Sequence, residues 1–288
     1  GQMLDGAGPA LQVVDALLAE FEGRDSAEQL RELGIEPAAR SVLYGVGMLP
    51  ALRVEIADAD RLKEMLDRVE RRAGHTALRG ELGGQAYRRI DLGSVDAVLA
   101  VTGQYAVAGL LPDELFDRQL PFLLGIELPT PSLADTGAIK AMSERHDFTG
   151  YGEGFIRLDE LLAILQGRGK ASNAQVMQAL VSEPLPISGA CLRMADALLA
   201  DMPRLVTGVT HVDEQQLVTR SIWESSPGVA SYLQALAAPV PGVGGKFDGL
   251  MMVGMGVDLP RLRTALEALL REVIAAGGGC EWVDAATL

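Results

Sequence analysis

Several things are scarce in this chain, and each scarcity excludes something. Aromatic residues make up 5% of the 288 residues, so a core has to be built from Leu, Val, Ala, Ile and Met. No Lys/Arg run with interleaved aromatics occurs. The densest basic groups, Arg68, Arg71 and Arg72 and then Arg88 and Arg89, are diluted by neighbouring acids. With 39 acidic against 25 basic residues the formal charge is −14. Such a surface repels phosphate backbones and anionic headgroups, so nucleic acid is not an expected partner. No apolar run approaches the ~20 residues that span a bilayer. The nearest, Ala97–Leu111, is interrupted by Thr102, Gly103 and Gln104 and reads as a hairpin, so no membrane span is expected. There are three histidines and two cysteines, and neither cysteine sits in a CxxC pair.

The usual catalytic signatures are missing as well. No G-x-S-x-G elbow, S-x-x-K or EF-hand spacing is present. Three Gly-x-Gly motifs stand beside large apolar residues, at Gly45–Gly47, Gly152–Gly154 and Gly254–Gly256, among others in the chain. A dinucleotide cradle needs G-x-G-x-x-G opening a helix, and a Walker A loop needs G-K-S/T. Pro50 stands where the first copy needs its third glycine, and the second carries Glu153 inside the loop. These are therefore read as strand glycines that clear one face for close packing, with Met48, Phe155 and Met251 near enough to fill the space. No cofactor is expected.

What remains as candidate chemistry is thin. His211 and Asp213, two apart on a strand, share a face and can share a metal, and a metal site would need His146 to join them. The competing reading gives these residues turn polarity alone. Cys191 and Cys280 are either two separate buried thiols or one disulfide. The bond would close a loop of roughly 90 residues and contribute about 4 kcal/mol in the chain-entropy model.

With 48% hydrophobic residues a substantial core is expected, and disorder is not. Leu11, Val14, Leu17, Leu18 and Phe21 fall at helical spacing, and a short helix should follow from Ala27 to Leu33 and stop at Gly34. The alternation in 51–58 predicts a strand, and Asp58 or Asp60 caps a helix ending at Gly74. Hairpins are expected to turn at Gly83–Gly84 and at Gly103–Gln104, the latter a type II′ turn. The second of these hairpins is apolar on both faces and should be central. Further helical stretches are predicted over 113–124 and 132–145, a strand over 154–158, a hairpin turning at 213–215, and a helix opened by Ser226–Pro227. A faint internal repeat is also visible: Asp58, Arg61, Leu62 and Leu66 recur as Asp258, Arg261, Leu262 and Leu266.

The fold class expected from this order is α+β, a curved, mostly antiparallel sheet with helices packed on one face. Three segments are expected: a helical 1–40, a first α+β unit over 41–170 and a second over 171–288 that shares its core.

The segments 44–74, 83–92 and 96–126, continued by 131–142 and 147–161, together resemble a family of uncharacterised exported bacterial proteins defined only as a domain of unknown function. The resemblance lies in structural residues and carries no catalytic motif. It implies export to a periplasm, a Cys191–Cys280 disulfide, and a longer parent protein with its signal upstream. The function expected is a non-catalytic envelope binding or scaffold protein with a protein partner or a hydrophobic ligand. Its rivals are a lipid carrier with a cavity between sheet and helices, and a metal-dependent hydrolase built on His146, His211 and Asp213.

Overall fold

The structure, a computed structural model, describes residues 7–74, 76–166, 168, 187–236, 238, 239, 256, 258–265 and 267. These fall into two compact units, one up to Ser132 and one from Leu133 onward. The division thus lies well before 170, and the helical segment 7–40 belongs to the first unit instead of standing apart from it.

The first unit opens with α1 (Ala7–Phe21) and α2 (Ala27–Glu32). Ser26 starts α2 with a capping box, its side chain accepting from the Gln29 N–H while the Gln29 side chain reaches back to the Ser26 N–H. Strands β1 (Ser41–Val46) and β2 (Leu49–Glu55) then form a hairpin whose turn needs Gly47 at φ +64°. Helix α3 (Ala59–Ala73) follows. Asp58 caps it, accepting from the N–H groups of Asp60 and Arg61 at 2.9 and 3.0 Å, and Gly74 ends it in the left-handed region at φ +68°. Strands β3 (Leu78–Leu82), β4 (Gln85–Asp91), β5 (Val95–Thr102) and β6 (Tyr105–Pro112) are consecutive hairpins, and α4 (Phe116–Leu124) follows a short 3-10 turn. The six strands form one antiparallel sheet in the order β1-β2-β6-β5-β4-β3, with the β5–β6 hairpin at its centre.

The α+β architecture is the expected one, but the helices take both faces of this sheet. Register places Val98 opposite Gly109 and Ala100 opposite Val107, and these positions lie under α4 with Phe116, Leu120, Leu123 and Leu124. Gly109 lets α4 come close there, since a Cβ would stand 2.6 Å from a Leu123 methyl. Val101 and Ala106, on the opposite face, pack against Leu62, Met65 and Val69 of α3, which α1 backs through Ala16. A hairpin apolar on both sides needs cover on both, and two separate core clusters result.

In the second unit α5 (Leu133–Thr136) and α6 (Ala138–His146) are separate helices where one was expected, because Gly137 between them sits at φ +62°. Strand β7 (Glu153–Arg157), α7 (Leu158–Leu165), α8 (Gly189–Asp201), β8 (Arg204–Val212), β9 (Leu217–Glu224) and α9 (Pro227–Leu236) follow. The strands form a three-stranded antiparallel sheet in the order β7-β8-β9, with a register shift between Val209 and His211. Val206 is fully buried at its centre.

The faint repeat has a structural counterpart. Asp258 caps a helix over 259–265 as Asp58 caps α3, accepting from the Arg261 N–H at 3.1 Å and pairing with the Arg261 guanidinium at 3.3 Å. Ser226 likewise repeats Ser26: the Val229 N–H lies 3.5 Å from its hydroxyl, and the Ala230 N–H donates to its carbonyl as Leu30 does to that of Ser26. Leu266 lies outside the described residues.

Candidate functional site

A concavity of about 650 Å³ in the second unit lies between helices α5–α6 and the segment leading into β7. Local rules place each wall. Phe148 leaves the end of α6 with its N–H on the Ser143 carbonyl at 3.0 Å, and its ring lies directly on the backbone of Gly208, where any Cβ would collide with it. Thr149 is bound to the Val209 carbonyl twice, through its N–H at 2.8 Å and its hydroxyl at 3.0 Å. Opposite these stand Leu133, Ala134 and Ile139.

Into this mostly apolar groove the chain sets one carboxylate. Glu153 accepts from the Gly150 N–H on one oxygen and lies in hydrogen-bond contact with the Ser143 hydroxyl on the other; that hydroxyl is also 3.0 Å from the Ile139 carbonyl. Among the described residues no Lys, Arg or His forms an ion pair with Glu153. The lysine on the rim, Lys140, pairs with Glu144 at 3.8 Å. The sequence signal for this residue was the acid inside Gly152-Glu153-Gly154, which disqualified the loop as a phosphate cradle without saying what the acid was for. The answer is local: the Gly150 N–H, a donor that an anion would need, is occupied by the protein's own carboxylate.

The glycine reading needs correction in its particulars. Gly47 shapes a turn, Gly152 sits at φ +117°, and a Cβ on Gly154 would meet nothing within 4 Å. Gly45, a strand glycine of β1, does meet a close approach, its Cβ position lying 2.4 Å from the Gly47 carbonyl oxygen, and close packing also relies on glycines outside the motifs, among them Gly109 and Gly208. Met48 does pack on the core of the first unit, whereas Met251 and Gly254 lie outside the described residues.

The candidate metal ligands are not brought together. His146 closes α6 with its Nε2 2.8 Å from the Glu224 carboxylate, at the end of the hairpin where Arg204 pairs with Glu224. His211 lies 2.8 Å from Asp213 at the other end, opposite Val218. Seven residues of strand separate the two ends, roughly 20 Å at 3.3 Å per residue. No group of three His, Cys, Asp or Glu among the described residues is placed to hold a metal ion. His211–Asp213 is an exposed turn pair. The Asp213 carboxyl is held below its ordinary value by the His211 hydrogen bond and by the N–H groups of Gln215 and Gln216. His75 lies outside the described residues.

His146 has a structural role. Burial pushes the Glu224 carboxyl up, but hydrogen bonds from Arg204 and His146, with the charges of Arg204 and Arg145, outweigh it and hold the group below its ordinary value near 4.5. The four side chains thus join α6 to the β8–β9 hairpin.

Cys191 is buried in the first turn of α8, where its N–H lies 3.3 Å from the Ser188 hydroxyl that caps the helix. Cys280, its expected partner, lies outside the described residues.

The first unit has a smaller apolar groove of about 320 Å³ on the sheet face that α3 covers only in part. Leu43, Leu52 and Leu110 line it and are 73%, 39% and 39% exposed. The gap between α3 and β3–β5 holds only about 120 Å³, below the range of small-molecule sites, roughly 300–1,000 Å³. No helix among the described residues is long and apolar enough to cross a membrane. No protein-family model, no curated protein and no solved structure matches this chain.

Proposed function

We propose that this chain is a non-catalytic binding protein of the bacterial envelope that carries a small apolar or amphiphilic ligand. The observation that carries the reading is the groove of about 650 Å³ between helices and strand in the second unit, with apolar walls and few polar groups. Among the described residues its one fixed carboxylate has no nucleophile–base–orienter arrangement around it. Ser143 touches Glu153, but no histidine stands between them to take and return a proton. The hydrolase reading loses its support because His146 stays at the far end of the hairpin from the His211–Asp213 pair.

Residency in the envelope rests on the family resemblance, and with it the Cys191–Cys280 disulfide. Alkylation of the denatured, unreduced chain tests the bond: an unchanged intact mass is expected, and addition at both cysteines would remove it.

The binding reading is tested by Nile red, a neutral dye that fluoresces in apolar surroundings, titrated into the full chain. Saturable binding is expected, and Ala134→Trp, which fills the groove from its wall, should abolish it. No saturable binding, or binding that Ala134→Trp leaves intact, would overturn the assignment.

A further inference from the structure

We propose that this groove selects amphiphiles with a cationic head, of the alkylammonium class, and that Glu153 is their counter-ion. The inference rests on the groove being a binding site and names the chemistry it prefers.

Three observations support it. Among the described residues Glu153 is the only acidic group lining the groove, and its carboxylate is oriented by the chain's own Gly150 N–H and Ser143 hydroxyl contact. A carboxylate held at two points is pre-organised, so a ligand donor loses little by meeting it. Each of its oxygens keeps further acceptor capacity, since an ionised carboxylate has about four lone-pair sites and these contacts use two. Next, the basic side chains nearby, Lys140 on the rim included, have other partners. Lys140 turns to Glu144, and Arg145 and His146 turn to Glu224. Finally, the walls are apolar where an alkyl chain would lie: Leu133, Ala134, Ile139 and the Phe148 ring. A head that donates hydrogen bonds and carries positive charge fits that combination. A carboxylate or phosphate head would face Glu153 with like charge, in a chain whose net charge of −14 already disfavours anions.

The test uses three ligands with one alkyl chain: decylammonium, decanol and decanoate, each below its micelle concentration at pH 7, displacing Nile red from the full chain. Displacement is expected at the lowest concentration for decylammonium, then decanol, then decanoate. Glu153→Gln should weaken decylammonium about tenfold, the range for loss of one charge-assisted hydrogen bond, and leave decanol within about twofold. Glu153→Asp, which keeps the charge, should retain the preference for the cation and serves if the glutamine variant folds poorly. Asp58→Asn removes an equal charge far along the chain and should change nothing.

Decanoate binding as tightly as decylammonium would overturn the proposal while leaving the groove as a ligand site. So would an equal loss of all three ligands in Glu153→Gln, or an equal loss of decylammonium in Asp58→Asn. If none of the three displaces the dye from the unaltered chain, this proposal falls, while the binding function still stands or falls on the saturable, Ala134→Trp-sensitive binding of the dye itself.

Discussion

The two units treat their apolar surface differently. In the first, a six-stranded sheet carries α4 on one face and α3, backed by α1, on part of the other, and Val107 and Leu123 are fully buried between layers. What stays open there is an apolar strip of sheet with a volume of about 320 Å³. In the second, a three-stranded sheet meets short helices, with Gly137 breaking α5 from α6, and a groove of about 650 Å³ lies between them. A wide sheet offers enough facing positions to interlock with a helix along its length. A narrow one beside a broken helix leaves a gap, and that gap is where a ligand can displace water from apolar walls.

Substitutions can break or sharpen this contrast. The largest effect is expected from Leu123→Ala, which empties a site with no exposed surface beneath α4 and should cost about 3 kcal/mol in urea denaturation. A loss below about 1 kcal/mol would mean that the first unit is not interlocked as described.

Close behind comes Asp96→Ala. Asp96 is 1% exposed and pairs at 2.7 Å with Arg89, whose guanidinium also lies 4.1 Å over the Phe116 ring and pairs with Asp113. Removing the acid leaves the buried end of that arginine poorly compensated, at a cost of about 3 kcal/mol. Asp96→Asn should recover part of it by keeping a hydrogen-bond acceptor.

The pH dependence of the second unit should be smaller. The Glu224 carboxyl is held below its ordinary value near 4.5, so its contribution to stability is complete above that value and is lost as pH falls through the lower folded-state value. Glu224→Gln should therefore flatten the acid limb of the melting-temperature profile below about pH 4.5 and lower the plateau near neutrality. An acid limb identical to that of the unaltered chain would show that the His146–Arg204–Glu224 junction contributes nothing.

The two aspartate caps should act alike. Asp58→Ala and Asp258→Ala should each lower the melting temperature by roughly 2–4 °C. Unequal effects would say that the repeated cap geometry has different weight in the two units. Smallest of all, Ile139→Ala on the groove wall should cost under about 1 kcal/mol, because its side chain already borders open space. The same change should weaken ligand binding, which Leu123→Ala should not do while the chain remains folded.

Much of this fold was legible because short-range physics decides it. Asp58 at the end of an alternating strand, Gly74 after an amphipathic run and Gly103–Gln104 between two apolar stretches each act through neighbours a few residues away, and each stands where it was expected. The break at Gly137 was missed because a helical pattern runs through it and only the backbone angle interrupts it. Of the Gly-x-Gly residues, Gly45 and Gly154 do lie in strands, but only Gly45 of these two meets a close approach. Whether a glycine serves a turn or a close approach depends on what crosses it, and Phe148 reaches Gly208 from 60 residues away in sequence. The same limit hid the roles of Glu153 and His146, whose meaning comes from Ser143 in one case and from Glu224 in the other.

By itself, the order of residues determined the element types, the antiparallel hairpins, the caps and an acidic surface that repels polyanions, since all of these follow from local sterics, hydrogen bonding and summed charge. Only tertiary structure decided that helices would cover both faces of the larger sheet, that the histidines would stay apart, and that one carboxylate would stand without a counter-ion among the described residues in an apolar groove. Those outcomes depend on which distant surfaces meet, and burial rewards many pairings almost equally until the whole chain has packed.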